Sequence, residues 1–144
     1  MEAIFYFSAS SKIIIILQRF TLNRNEKLKS SKIIQQLFKQ GKSFSEFPLR
    51  IIYLESEDKK SNLQAAFSAS SKNFKKATDR NRIKRLMRET YRLQKGTLTA
   101  ILEEKEQSLA VFIIYTGKVL PQYRLLYEKM NVALEQLQKQ VLKM

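Results

Sequence analysis

Followed as apolar and polar positions, the chain becomes regular from Lys27 onward, and each change of period marks an element. Residues 28–40 set Ile33, Ile34, Leu37 and Phe38 at helical spacing, and Gly41 follows as a stop, which predicts a short amphipathic helix. A period of two then takes over. Leu49, Ile51 and Tyr53 face one side of residues 49–54, and Arg50, Ile52 and Leu54 face the other, which is strand patterning opened by Pro48. Residues 55–62 are charged and polar and read as a loop, 63–70 read as a second strand, and 44–47 leave room for an extra short one. Thr78 and Asp79 offer N-cap chemistry to a helix reaching about Gln94, with Gly96 as its stop. Residues 109–115 are nearly all apolar, predicting a strand buried on both faces. Pro121 precedes a long helix with Leu126, Met130, Leu134, Leu137 and Val141 in one stripe. The order helix, strand, strand, helix, strand, helix predicts one α+β domain with helices packed on a small sheet.

Composition narrows the chemistry. A chain of 144 residues, 44% of them hydrophobic, supports one packed core. It has no Cys and no His, which excludes disulfides, thiolate zinc sites, Cys nucleophiles and imidazole bases. Most hydrolytic chemistry at neutral pH is thereby closed to the chain acting alone. Lys and Arg number 27 against 13 Asp and Glu, a formal charge of +14 that favours a polyanionic partner: nucleic acid first, an anionic membrane surface second. Two further patterns are decoys. Gly41-Lys42-Ser43 resembles the end of a phosphate-binding loop, but Gln36 stands where the loop needs its earlier glycine. Glu103, Glu104 and Glu106 fit a solvated helix face better than a metal site.

The N-terminal stretch stands apart. Its longest apolar run, Ile13 through Leu17, has five residues, too few to span a bilayer. Glu2 leads it and Gln18-Arg19 follow, against the order of a signal peptide. Residues 1–19 are expected to be an N-terminal extension, either an added strand-like arm, a disordered segment or the product of a miscalled upstream translation start, with the domain running from 20 to 144. The expected compartment is the cytoplasm.

The charge is concentrated. From Lys72 to Lys95 there are ten basic residues and two acids, so this segment alone carries +8. On a helical wheel Ile83, Leu86, Met87, Thr90 and Leu93 share one arc, and Arg80, Lys84, Arg85, Arg88 and Arg92 spread over the other. Solvated faces usually mix signs, whereas here Arg80/Lys84, Lys84/Arg88 and Arg88/Arg92 set like charges one turn apart. That repulsion is relieved by a polyanion, and arginine suits bidentate contacts to phosphate or guanine. A membrane-surface helix fits less well because the apolar arc carries Thr90 and no Trp. A DNA-reading helix-turn-helix lacks its preceding helix, because a strand stands there instead. RNA is the better partner.

The run KNFKKATDRNRIKRLMRETYR at 72–92 resembles the signature of the bacterial ribonuclease P protein subunit, with Arg80, Asn81, Arg82, Ile83, Lys84, Arg85 and Arg88 unbroken. The likeness extends over about residues 20–144. The stretch from Asn73 to Ala77 resembles one branch of the family, in which Phe74-Lys75 replaces the more widespread hydrophobic-Gly pair, and the departures are Asn73, where Lys is usual, and the extension 1–19. The resemblance implies a small two-layer α+β sandwich like the second domain of ribosomal protein S5, with the basic helix in a left-handed β-α-β crossover. It implies an auxiliary protein subunit without catalytic residues, a ribonuclease P RNA that hydrolyses precursor tRNA with bound Mg²⁺, and no metal held by the protein alone.

By the same likeness, Arg82, Lys84, Arg85 and Arg88 contact the catalytic RNA, flanked by Lys72, Lys76, Arg80 and Arg92, with Asn81 as a further RNA contact. The single-stranded 5′ leader would lie between the sheet and the first helix, against Ile34, Phe38, Arg50 and Ile52. For Ile34, Phe38 and Ile52 an ordinary core role is the equal alternative. The protein alone is expected to be a monomer with no membrane partner. The rival function is a ribosome-associated or general RNA-binding protein with no enzymatic partner.

Overall fold

The computed structural model describes residues 22–58 and 60–144, so the expectations for residues 1–19 lie outside the described residues. Strands β1 (Lys42–Glu46), β2 (Leu49–Glu55), β3 (Leu63–Ala69) and β4 (Leu109–Tyr115) form one sheet in the order β1-β2-β4-β3. β1 pairs with β2 and β2 with β4 antiparallel, whereas β3 and β4 run parallel. Parallel neighbours need a crossover. Here α2 (Ala77–Gln94) and α3 (Gly96–Glu104) occupy it, while α1 (Ser31–Gln40) precedes the sheet and α4 (Tyr123–Leu142) follows it.

The two faces of the sheet are covered unequally. Leu49, Ile51 and Tyr53 of β2, Leu63 and Ala65 of β3, and Leu109, Val111, Ile113 and Tyr115 of β4 enter the main core. Ile83, Met87 and Tyr91 of α2, Leu98 and Leu102 of α3, and the expected α4 stripe from Leu126 to Val141 close it from the other side. On the opposite face Leu37 and Leu28 bury Ile52 and Ala110, and Leu54, Ala66, Phe112 and Ile114 remain half-buried. β4 is therefore not buried on both faces throughout, as its composition predicts. The ten residues of α1 reach only about 15 Å, enough to cover one end of that face.

Several boundaries differ from the sequence expectation, each for a local reason. α1 starts at Ser31 because Leu28 is already committed to the sheet, its N–H donating to the Ala65 carbonyl at 2.9 Å. Ser30 then caps the helix, its hydroxyl accepting from the Ile33 N–H at 3.4 Å. Gly41 ends α1 in extended backbone. Its necessity is close approach: a Cβ there would press on the Leu37 carbonyl and stand 2.9 Å from Ile52 Cγ2. α2 begins at Ala77 with Lys76 at the N-cap position, so Thr78 and Asp79 lie in its first turn and do not cap it, and Asp79 complements the helix dipole. Gly96 opens α3 where a stop was expected. Lys95 keeps helical backbone, and Leu98 and Leu102, one turn apart and fully buried, pack α3 onto α4. β1 realises the extra strand, shifted to begin at Lys42.

A strap before α1 ties β3 to the α2–α3 junction. Asn23 N–H donates to the Glu26 carboxylate at 2.8 Å, and Gln64 Nε2 donates to the Asn25 carbonyl at 3.0 Å. Lys95 Nζ, at the α2–α3 junction and only 2% exposed, meets Glu26 at 2.6 Å. Burial pulls the Lys95 ammonium below the usual lysine range, and the Glu26 contact opposes that pull.

Candidate nucleic-acid interface

The α2 side chains divide as the wheel requires. Ile83, Met87, Thr90 and Tyr91 are buried, and Tyr91 meets Phe67 edge-on with ring centroids 5.3 Å apart. Tyr91 is the one core position of this helix that the wheel reading omitted, since a tyrosine next to arginines gives no apolar signal by itself. Asn81, Arg82, Arg85 and Arg88 are exposed on the other side, with Lys84 half-buried beside them. Lys72 and Lys76 are exposed on the loop leading into the helix.

Two members of the expected row also have structural duties. Arg80 is half-buried, and its guanidinium donates to the Phe74 and Lys75 carbonyls at 2.7 and 2.9 Å. It thus fastens the lysine-bearing loop against the start of α2. Arg92 pairs with Glu89 at 2.5 and 3.2 Å. The Arg92 hydrogen bond holds the Glu89 carboxyl below the usual carboxylate range, and the same bond raises the Arg92 guanidinium. Lys95, counted with the basic run in the sequence, is turned into the protein and belongs to the strap. Asn73 donates to the Thr116 and Gly117 carbonyls at 3.5 and 3.4 Å, tying the same loop to the end of β4.

The second set of candidates lies on the half-covered sheet face. Strand register sets Ser43, Ile52, Phe112 and Ala66 in one row across it and Ser45, Arg50, Ile114 and Ser68 in the next. Paired residues point to the same side of a sheet. Arg50 is exposed there, Ile34 is half-buried, and Ile52 is 5% exposed in the cluster under α1. Phe38 stands at the edge of α1, 56% exposed, with its ring edge-on to Phe112 at 5.2 Å. Phe112 and Ile114 were missed in the sequence. The unbroken apolar run 109–115 hid its own alternation, and only the register with β2 and β3 reveals which residues α1 leaves uncovered.

The structure therefore offers a cationic helix face and, across the sheet, an incompletely covered face carrying Phe38, Phe112 and Arg50. Both suit RNA, the first through phosphates and the second through an unpaired strand. Among the described residues no helix is long and apolar enough to cross a membrane.

Comparison with known proteins gives the family. The sequence model of the family described as Ribonuclease P matches residues 22–138. The Ribonuclease P protein component of Porphyromonas gingivalis is 34% identical over 116 residues, covering 80% of this chain and 85% of the relative. That of Chlorobium phaeobacteroides is 33% identical over 122 residues, covering 77% and 84%. In fold, the chain resembles the solved RNase P protein of Thermotoga maritima, with a TM-score of 0.62, 22% identity and coverage of 77% and 96%. The Staphylococcus aureus RNase P protein gives a TM-score of 0.60 at 16% identity, covering 78% and 94%. With the family pattern spanning almost all the described residues, this chain belongs to the ribonuclease P protein family, the protein component of a tRNA-processing ribonucleoprotein.

Proposed function

We propose that the chain is the auxiliary subunit of its ribonucleoprotein, laying the exposed face of α2 along the RNA partner. Arg82, Lys84, Arg85, Arg88 and Asn81 make the contact, and Lys72, Lys76, Arg80 and Arg92 flank it. The half-covered sheet face holds the single-stranded 5′ leader of precursor tRNA, with Phe38 and Arg50 touching the strand and Ile34 and Ile52 backing them. Phe112 and Ile114 complete the floor. The RNA subunit performs the hydrolysis, and Mg²⁺ held by that RNA would supply the activated water and the charge neutralisation at the phosphate. The protein contributes charge neutralisation and leader capture, acting as a monomer in the cytoplasm.

The observation that carries this reading is the division of α2, with Ile83 and Met87 at 0% exposure and Arg82, Arg85 and Arg88 outward on the same helix. Burial of one side fixes the direction of the other, so the guanidiniums are presented as one surface. The test is reconstitution: purified protein is added to ribonuclease P RNA at low Mg²⁺, and cleavage of the 5′ leader is followed. The reading predicts cleavage that requires the protein. Absence of any stimulation, with RNA binding intact, would favour the general RNA-binding alternative.

A further inference from the structure

α4 carries an aromatic pair that neither the core nor the leader face uses. Tyr123 and Tyr127 stand one turn apart with ring centroids 6.1 Å apart and planes inclined by 36°. Both remain open to solvent, at 42% and 38% exposure. Their location sets them apart from scattered surface aromatics. α4 packs along α2, and Gln94 of α2 donates to the Tyr127 backbone carbonyl at 3.1 Å. Arg85, Arg88 and Arg92 recur at three- and four-residue steps, so they form one stripe running to the C-terminal end of α2, the end whose Gln94 meets the Tyr127 carbonyl.

We propose that Tyr123 and Tyr127 form a stacking platform for an unpaired nucleobase of the RNA partner, continuing the arginine surface of α2 onto α4. The inference rests on the RNA-binding reading of α2. Phosphate contacts from arginines hold an RNA strand but take no grip on a base. Exposed aromatic faces beside positive charge supply that grip, because every base has a π-face and an unstacked one is stabilised by covering it. Tyrosine suits the role because its ring is rigid and its hydroxyl stays in water. A bulged or loop nucleotide is the expected ligand, since a duplex keeps its bases stacked within.

The test uses the full chain and ribonuclease P RNA. The double variant Tyr123→Ala/Tyr127→Ala should bind this RNA about 5- to 150-fold more weakly, the range for loss of one stacked base. The slope of log affinity against log salt should stay at the wild-type value, because no phosphate contact is removed. Tyr123→Phe/Tyr127→Phe keeps both rings and should bind as wild type. Because the chain has no Trp, Tyr127→Trp introduces a single reporter whose fluorescence should be quenched when RNA is added. Arg82→Ala/Arg85→Ala, run in parallel, separates the two readings. If that variant loses affinity and salt slope while the Tyr→Ala pair binds unchanged, the platform is refuted and the α2 interface stands. If the arginine variant also binds unchanged, the RNA reading of α2 fails with it. Weaker binding of the Phe pair equal to that of the Ala pair, or an unquenched Trp, would likewise overturn stacking.

Discussion

Leu37 and Phe38 are neighbours on α1, and the account assigns them opposite duties, so truncating each in turn separates core from RNA contact. Leu37 is 0% exposed beneath the helix, and Leu37→Ala leaves a cavity costing about 2–5 kcal/mol. Phe38 is 56% exposed, so less than half of the roughly 1.5–3 kcal/mol for burying such a side chain is at stake, about 1 kcal/mol. Loss of its edge contact with Phe112 adds about 0.5–1.5 kcal/mol. Phe38→Ala should therefore cost about 1.5–2.5 kcal/mol of folding stability, measured by urea denaturation followed by circular dichroism. In RNA binding the order reverses. If a leader base stacks on Phe38, its removal costs about 1–3 kcal/mol, or about 5- to 150-fold in affinity. The assay compares precursor tRNA with and without its 5′ leader, bound to the reconstituted ribonucleoprotein. The loss should appear only with the leader. A Phe38→Ala protein that is less stable than Leu37→Ala yet discriminates leader from no leader as wild type does would refute the reasoning.

Other outcomes follow from particular contacts. Lys95→Met strands the Glu26 carboxylate in a mostly buried site and should cost about 3 kcal/mol, whereas Lys95→Met/Glu26→Gln should recover most of it in the same urea titration. Glu89 has a depressed folded-state pKa, so its pairing with Arg92 contributes stability above the ordinary carboxylate value of 4.5 and loses it as pH falls through the folded value. The advantage of wild type over Glu89→Gln, at most about 0.5 kcal/mol for so exposed a pair, should thus be present at neutral pH and vanish in acid. Gly41→Ala drives a methyl against the Leu37 carbonyl and Ile52, and about 1–3 kcal/mol of destabilisation is expected from thermal melts.

Much of this architecture was legible in the sequence because burial acts on periodicity. The α4 stripe, the two sides of β2 and the apolar arc of α2 are all one-dimensional patterns, and each occupies the predicted side. What escaped depends on partners distant in sequence. Gly96 carries no sign that Leu98 and Leu102 will find α4, so a helix start looks like a helix stop. Lys95 reads as one more cation in a basic run until Glu26, far away in the chain, takes it inward. Phe112 and Ile114 lie on the incompletely covered sheet face, and their exposure is decided by the length of α1 and by strand register. For the interface the unbroken Arg80–Arg88 signature was the stronger guide, because its residue types and spacing survive without any knowledge of tertiary contacts.

The proposed role of the outward guanidiniums of α2 is the neutralisation of RNA phosphates. Its most direct test is the salt dependence of affinity for ribonuclease P RNA, comparing wild type with Arg82→Ala/Arg85→Ala. If both side chains sit on phosphates, the variant binds more weakly and its slope of log affinity against log salt falls by somewhat under one unit per lost contact, about 1.4–1.8 in all. A variant with the wild-type slope would show that these arginines face away from the RNA, and the account would fail.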